Sequence, residues 1–378
     1  MSSRDRGWGV EASQTIGERE PITALRARSF TIPTDYAEAD GTLSWDSTTL
    51  VLVEVESADK AGLGYSYTSA AGAEVVHELL HDAVFAGDAH SPQAAWQQMR
   101  RAVRNVGYPG LVASAISAVD IALWDLKARL LGVSLSTLIG RVRERVPVYG
   151  SGGFTTYSDE QLERQLRAWT ELGIDAVKMK VGSEPERDRD RVRRARAAIG
   201  EHARLFVDAN GAYSRKQALA LAEVFHSEAG ATWFEEPVSS DDFEGLALLR
   251  ERAPAGMEIA AGEYGYDLFY FRRMLDAVDV LQADVTRCGG VTQLLQVGAI
   301  CAAHGLQLSA HTSPTLHAHV GAAIEPLAHV EYFHDHARIE QMLFEGTPAL
   351  IDGALVPDPH APGLGLRVRE DEAERFAR

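Results

Sequence analysis

The chain has 378 residues, 46% hydrophobic and 24% charged, a balance typical of a soluble globular protein with room for two domains. Its formal net charge of -17 argues against a nucleic-acid or anionic-membrane partner, because both attract basic surfaces. Two cysteines, Cys288 and Cys301, are too few for a disulfide framework, and no apolar run approaches the roughly 20 residues of a membrane span. We therefore expect a cytoplasmic protein without a secretory signal.

The first third of the chain predicts an α+β domain over 22–140. Residues 1–21 are polar, and we expect them to be loosely ordered. Strand-like alternation is clearest in TTLVLVEVE (48–56), and the polar stretch IPTDYAEADGTLSWD (32–46) before it predicts a long loop. Helical patterns follow, and the longest, at 112–131, is so apolar that we expect it to be buried on most sides.

The remainder alternates short apolar runs with helical patterns. Seven successive runs close on a polar residue, with gaps of 28, 27, 28, 21, 27 and 20 residues: Lys180, Asp208, Glu235, Glu263, Asp284, His311 and Glu331. With VPVYG (146–150) they predict eight strands, each unit being long enough for one strand and one helix. Eight units favour a closed (β/α)8 TIM-type barrel over 141–340, with its active site at the carboxyl ends of the strands. The alternative is an open doubly wound sheet, although GSGGF (150–154) does not fit its phosphate-binding turn.

Three of the closing residues are carboxylates on consecutive predicted strands: Asp208, Glu235 and Glu263. Neighbouring strands lie about 4.8 Å apart, so the three carboxylates can meet. They would raise one another's pKa unless a cation lay among them, and all-oxygen ligation suits a hard ion such as Mg²⁺. For any one of them alone, the alternative is a carboxylate that caps the next helix. Strand alternation predicts that Glu236 points away from Glu235.

Potential acid/base groups lie on either side of these carboxylates. Lys178 and Lys180 are two apart in AVKMKVG (176–182), so both should point to one face of their strand. Repulsion between ammonium groups about 7 Å apart should lower the pKa of Lys180 to about 8 to 9. Asp284 and His311 end neighbouring strands, and a carboxylate on one imidazole nitrogen leaves the other free as an acid or base. An isolated histidine would more simply be a hydrogen-bonded core residue.

These stretches together resemble the enolase superfamily, in its mandelate racemase/muconate lactonizing enzyme branch. The resemblance rests on AVDIALWDLKAR (118–129), KMK (178–180), VDAN (207–210), WFEEP (233–237), AGE (261–263), LQADVTRCGGVT (281–292), SAH (309–311) and APGLG (361–365). It implies a modified TIM-type barrel with an α+β capping domain, to which the C-terminal segment 341–378 returns. The loop at 32–46 would close the barrel mouth.

The resemblance also implies a metal and a pair of acid/base groups. One Mg²⁺ per subunit, replaceable by Mn²⁺, would be bound by Asp208, Glu235 and Glu263. Lys180 would be one acid/base catalyst. His311, oriented by Asp284, would be the other, on the opposite face of a small carboxylate substrate. A homo-oligomer is also expected.

Further site residues are implied around the substrate. Lys178 would touch the substrate carboxylate. Glu331, as the protonated acid, would donate a hydrogen bond to the developing enediolate. Asn210 and Ser151 complete the implied substrate contacts, and Tyr36 in the polar stretch 32–46 is a further candidate.

The chemistry of this site is abstraction of the proton α to a carboxylate. A divalent ion and flanking cations stabilise the enediolate that results. We predict an acid-sugar dehydratase that gives a 2-keto-3-deoxy acid. The alternatives with the same residues are a racemase or epimerase of a 2-hydroxy acid and a lactone-forming cycloisomerase. A barrel that only binds its ligand is the non-enzyme alternative.

A second motif, HELLH at 77–81, matches the H-E-x-x-H pattern of zinc proteases. The longer form of that pattern needs glycine three residues after the second histidine, where Val84 stands. We therefore expect a partly exposed helix of the cap at this place instead.

Overall fold

The computed structural model describes residues 19–378. Of the predicted N-terminal tail, 1–18 lies outside the described residues, whereas 19–21 lie against the cap. The backbone N–H of Ala89 donates to the carbonyl oxygen of Glu20 at 2.8 Å. The described chain forms a cap followed by a barrel.

The cap combines an antiparallel sheet with helices, as predicted for an α+β domain. Its sheet has the order β1-β2-β3, with strands β1 (Ala24–Ala39), β2 (Ser44–Ser57) and β3 (Lys60–Tyr67). Its helices are α1 (Ala71–Val75), α2 (His81–Val84), α3 (Pro92–Ala102), α4 (Leu111–Leu130) and α5 (Leu135–Leu138). A π-helical turn, Val76–Leu80, separates α1 from α2.

The segment predicted as a long loop is a β-hairpin. β1 continues to Ala39 and β2 begins at Ser44, with one bulge in their pairing. The loop prediction was wrong because polar residues on both faces hide the strand alternation. At the hairpin tip, a Cβ on Gly41 would lie 2.4 Å from the carbonyl oxygen of Ala209, so only glycine allows this approach. The hairpin therefore reaches the mouth of the barrel.

Eight parallel strands form the barrel: β4 (Val146–Gly152), β5 (Ala176–Lys180), β6 (Arg204–Asp208), β7 (Ala231–Glu235), β8 (Glu258–Ala261), β9 (Val280–Ala283), β10 (Gln307–Ala310) and β11 (Leu327–Phe333). β11 pairs with β4, which closes the barrel and excludes the open doubly wound sheet. The helices that follow the strands are α6 (Asp159–Glu171), α7 (Pro185–Ile199), α8 (Arg215–Ala229), α9 (Phe243–Arg252), α10 (Leu268–Met274), α11 (Gly290–His304), α12 (Pro314–Gly321) and α13 (His334–Leu343). Capping boxes at Ser158 and Ser214 begin α6 and α8.

The C-terminal segment contacts both the barrel and the cap. Its elements are β12 (Phe344–Glu345), β13 (Ala349–Ile351), β14 (Ala354–Val356), β15 (Arg367–Val368), α14 (Glu370–Ala373) and a 3₁₀ turn (Glu374–Phe376). β13 and β14 form a hairpin that adds antiparallel to β4. Further along, the backbone N–H of Leu364 donates to Asp125 of α4 at 2.5 Å, and Glu370 pairs with Arg28 at 2.8 Å.

The long helix α4 lies between the cap sheet and the barrel, and it is buried on most of its sides, as predicted. On the barrel side, Asp120 accepts hydrogen bonds from the backbone N–H (2.9 Å) and the hydroxyl (2.6 Å) of Thr292. Trp124 Nε1 donates to the same hydroxyl at 2.9 Å. These bonds join α4 to α11, so the cap and the barrel share a buried polar junction.

The HELLH motif does not form a metal site in the described residues. The π-helical turn displaces its first histidine from the register of a regular helix, and His77 Nε2 lies 3.1 Å from the carbonyl oxygen of Ala27. His81 Nδ1 lies 3.0 Å from Asp82.

Cys288 and Cys301 are buried free thiols. Within residues 19–378, no helix combines the length and apolarity needed to cross a bilayer.

Candidate active site

The carboxyl ends of the barrel strands and the cap hairpin enclose a cavity of about 380 Å³. The predicted site residues in its lining are Lys180, Asn210, Glu263, His311 and Glu331. The cap contributes Asp40, Leu43 and Trp45, among others. The cavity lies at the strand ends, where the site is predicted. Segment 32–46 lines its mouth, as the predicted closure requires.

The three predicted metal ligands lie together. Asp208, Glu235 and Glu263 are buried, and one oxygen of each lies within 4.8 Å of the others. Glu263 Oε2 has no hydrogen-bond partner in the described residues, although His311 Nε2 lies 3.1 Å away outside hydrogen-bonding direction. Burial, and then the charge of Asp208, raise the pKa of Glu235 to about 8. Three buried carboxylates that repel one another provide oxygen ligands suited to a hard divalent ion such as Mg²⁺.

Both lysines of β5 form ion pairs with carboxylates. Lys178 is completely buried and lies 3.3 Å from Asp208 and 2.9 Å from Glu331, and it also pairs with Glu235. Lys180 donates to Asp208 at 2.5 Å. Burial opposes the charge on Lys180, but the attraction of Asp208 outweighs it and raises the pKa of Lys180. The predicted lowering of that pKa was wrong, because it counted the repulsion between the lysines and not the carboxylates.

His311 and Asp284 form the predicted pair. His311 Nδ1 lies 2.9 Å from Asp284, whose other oxygen accepts from the backbone N–H (2.7 Å) and the hydroxyl (2.8 Å) of Thr286. Burial alone would lower the pKa of His311, but Glu263, followed by Glu331, raises it to about 9. The charge of Glu263 thus favours the protonated imidazolium of His311, the form that can act as an acid.

Glu331 is held as a carboxylate. The Ser151 hydroxyl donates to one of its oxygens at 2.5 Å, and the backbone N–H of Thr312 donates to the other at 3.0 Å. Burial raises the pKa of Glu331, but Lys178 and then His311 outweigh burial and lower it to about 2. The prediction of a protonated Glu331 was wrong here, because the sequence did not reveal that Lys178 lies against it.

The predicted substrate contacts separate into two groups. Asn210 lines the cavity, and its Oδ1 is buried without a hydrogen-bond partner in the described residues. Lys178 and Ser151 are completely buried below the lining. Tyr36 is 56% exposed on the cap hairpin, with its ring 6.0 Å from that of Tyr157. The structure thus does not bring Tyr36, Ser151 or Lys178 into the cavity wall.

Sequence reasoning missed Arg287 and Trp45. Arg287 Nη1 lies 3.3 Å from Glu263 and Nε 3.6 Å from Asp284, and the side chain lines the cavity. The sequence feature that could have revealed Arg287 is a cation three residues after Asp284, a carboxylate at the end of a strand. Trp45 lines the cavity from the cap, and its signal was one large aromatic residue in a polar stretch.

Backbone strain marks the same strand ends. Asn210, Glu236, Thr312 and Ser313 have φ between 36° and 51°, a region that non-glycine residues rarely adopt. Such strain concentrates at functional sites, where the surrounding structure maintains it. Glu236 follows the last residue of β7, so strand alternation no longer applies there. It is buried, and burial followed by Glu263 and Asp208 raises its pKa.

Comparison with known proteins agrees with this architecture. A family model described as the mandelate racemase / muconate lactonizing enzyme N-terminal domain matches residues 31–140, and one described as enolase C-terminal domain-like matches 161–372. D-galactarolactone cycloisomerase of Agrobacterium fabrum is 29% identical over 94% of this chain and 98% of its own. L-talarate/galactarate dehydratase of Salmonella typhimurium is 32% identical over 86% of this chain and 82% of its own.

Solved structures match over nearly the whole chain. A mandelate racemase/muconate lactonizing enzyme-like protein from Rubrobacter xylanophilus superposes with a TM-score of 0.94 and 53% identity, covering 95% of this chain and 100% of its own. L-talarate/galactarate dehydratase of Salmonella typhimurium, liganded with Mg and L-lyxarohydroxamate, superposes with a TM-score of 0.88 and 27% identity over 97% and 95% of the two chains. With both domains matched in order, this chain belongs to the mandelate racemase/muconate lactonizing enzyme family of the enolase superfamily.

Proposed function

We propose that this protein is a Mg²⁺-dependent acid-sugar dehydratase that gives a 2-keto-3-deoxy acid. The observation that carries the proposal is the arrangement of Lys180 and His311. They line one cavity from β5 and β10, and the three strands that supply the buried carboxylates lie between those two strands in the barrel. Two acid/base groups on opposite sides of a carboxylate-rich centre suit chemistry at a carbon next to a carboxylate.

We propose Asp208, Glu235 and Glu263 as the ligands of the metal. When bound, Mg²⁺ supplies positive charge next to the substrate's carboxylate oxygens, where negative charge develops. The Mg bound to the Salmonella dehydratase supports the choice of ion. Mn²⁺ is proposed as a substitute because it accepts similar oxygen ligands.

The acid and base steps fall to residues of this chain. Lys180 or His311, whichever has first lost its own proton, removes the α-proton, and the electron pair of the C–H bond moves into the carboxylate to form the enediolate. His311 then gives a proton to the β-hydroxyl, which leaves as water. The resulting enol tautomerises to the 2-keto-3-deoxy acid. Arg287 and the cap residue Trp45 complete the cavity around the substrate.

A second candidate is a cycloisomerase acting on an acid sugar, favoured by the relative named D-galactarolactone cycloisomerase. A racemase or epimerase would use the same opposed bases to return a proton to the other face of the α-carbon. The product separates the three reactions. Dehydration alone releases water. Cycloisomerisation and epimerisation both retain every atom, but cycloisomerisation opens or closes a lactone ring, whereas epimerisation inverts one carbon.

The test is a panel of mono- and diacid sugars incubated with the full-length protein and Mg²⁺, with 2-keto acid as the measured product. We expect Lys180→Ala and His311→Asn to lower turnover by about 10²- to 10⁴-fold each, the usual contribution of a general acid or base. His304→Asn, on the exposed end of α11, is the matched histidine control and should keep wild-type turnover. Dehydration that survives both cavity substitutions would contradict the assignment of these residues.

A further inference from the structure

A second group of ligand-type side chains lies where the cap hairpin meets α13, outside the proposed catalytic centre. Asp35 and Glu38 of β1 and His334, the first residue of α13, each place one ligand atom within 4.8 Å of the others. His334 Nε2 lies 3.0 Å and 3.2 Å from the two oxygens of Asp35. The group therefore joins the cap to the rim of the barrel.

Glu38 has an unsatisfied oxygen in this group. Its side chain is completely buried, and Oε2 accepts a hydrogen bond from Trp45 Nε1 at 2.8 Å. Oε1 has no hydrogen-bond partner within residues 19–378. A buried carboxylate with one oxygen unpaired is unfavourable unless a proton or a cation compensates it. Glu38 thus needs a compensating charge, and its carboxylate lies close enough to Asp35 and His334 for all three to bind one cation.

We propose that Asp35, Glu38 and His334 bind a second divalent cation, of the borderline class represented by Zn²⁺, which fastens the cap hairpin to the barrel. Zn²⁺ accepts both imidazole nitrogen and carboxylate oxygen as ligands, whereas Mg²⁺ prefers oxygen alone. Metal–ligand bonds of about 2.0 to 2.1 Å in a tetrahedral site place neighbouring ligands about 3.3 Å apart. The 3.0 Å between His334 and Asp35 is close to that spacing.

The position of the site connects it to the cavity. Glu38 holds Trp45, and Trp45 lines the cavity that contains Lys180 and His311. The fourth ligand position is available to water because Asp35 is exposed. Occupation of this site would therefore fix one wall of the cavity without contributing a group to the reacting centre.

The site can be measured by metal content, independently of activity. The full-length protein is treated with a chelator, loaded with excess Mg²⁺, and dialysed against limiting Zn²⁺ or Co²⁺. Bound metal is counted by mass spectrometry, and Co²⁺ is followed by its visible absorption. We expect one Zn²⁺ per chain, and an affinity weaker by at least tenfold in Asp35→Asn and in His334→Gln, because each removes one ligand. Asp35 is exposed, so Asp35→Asn should fold normally even if His334→Gln, at a half-buried position, does not.

Two controls assign the metal to this site. His304→Gln disrupts an exposed histidine–aspartate pair (His304 Nε2 to Asp276, 3.2 Å) that belongs to no three-ligand group in the described residues, and it should leave Zn²⁺ binding unchanged. Asp208→Asn impairs the proposed Mg²⁺ centre and should also keep the Zn²⁺, so failure of either proposal can be recognised separately. Wild-type protein that retains no Zn²⁺, or variants at Asp35 and His334 that retain it equally, would overturn the proposal.

Discussion

At the scale of single residues, one buried ammonium group organises the centre of the site. Lys178 is completely buried among Asp208, Glu235 and Glu331, whereas Lys180, two residues later, is 5% exposed and reaches the cavity. The spacing of two residues predicts that both lysines point to one face of β5, and both contact Asp208. Their different depths follow from where β5 ends in the barrel, which local spacing does not specify.

Asp284→Asn should lower kcat by about 10²- to 10⁴-fold with a much smaller change in KM. The amide keeps the shape of Asp284 and can still accept from Thr286, but it no longer offers a negative charge to His311 Nδ1. The imidazolium is then less stabilised, and its orientation is less well fixed. The measurements are kcat, KM and the rate of solvent deuterium exchange into the α-position of the substrate.

Asp276→Asn removes an exposed surface carboxylate and serves as the matched control for that substitution. It should leave all three quantities unchanged. A wild-type exchange rate in Asp284→Asn would contradict the proposed dependence of His311 on Asp284.

At the scale of elements, the packing of β3 against α4 depends on the absence of two side chains. A Cβ on Gly62 would lie 2.2 Å from the carbonyl oxygen of Ala122, and one on Gly64 would lie 2.2 Å from that of Ala118. Both neighbours are helix backbone atoms, which cannot move without displacing α4. At both glycines, therefore, the backbones of β3 and α4 lie too close together to admit a side chain between them.

Gly64→Ala should destabilise the protein by about 1 to 3 kcal/mol, the usual cost of overpacking a buried contact. The inserted methyl group forces β3 away from α4 and loosens the cap. The change is measured as the free energy of unfolding in denaturant. Lys60→Ala, on an exposed position of the same strand, should stay within about 0.5 kcal/mol of wild type. Equal stability of Gly64→Ala and wild type would show that the contact adjusts freely.

At the scale of the whole molecule, buried acids join the cap to the barrel. Glu340 of α13 accepts from the Tyr65 hydroxyl of β3 at 2.7 Å and from the backbone N–H of Thr315 at 2.9 Å. Burial raises the pKa of Glu340 from 4.5 to about 7. Burial likewise raises the pKa of Asp120, at the junction of α4 with α11, to about 7. The folded state thus favours the protonated form of both groups.

The stability contributed by a raised pKa is complete below the unfolded value and is lost as pH rises through the folded value. For Glu340, that loss falls between about pH 4.5 and about pH 7. Glu340→Gln should therefore flatten the pH dependence of the free energy of unfolding between pH 5 and pH 8, because a neutral amide does not ionise. Its carbonyl can accept from Thr315, and its amide can donate to the Tyr65 oxygen. The quantity to compare is the difference in unfolding free energy between the two pH values.

Glu251→Gln, an exposed carboxylate on α9, is the control for that comparison and should leave the pH slope unchanged. Identical slopes in wild type and Glu340→Gln would exclude Glu340 as the titrating group at the cap–barrel junction.

The sequence by itself determined the order of strands and helices, the eight-unit barrel and the set of polar residues at its strand ends. These are local properties, because alternation, capping boxes and unit length are set by residues close in the chain. The tertiary structure decided which of these residues share a cavity and which carry charge. Glu331 is ionised because Lys178, 153 positions earlier in the chain, lies 2.9 Å away. The hairpin over the mouth and the group of Asp35, Glu38 and His334 likewise join segments distant in sequence, and contact distance and burial in three dimensions bring them together.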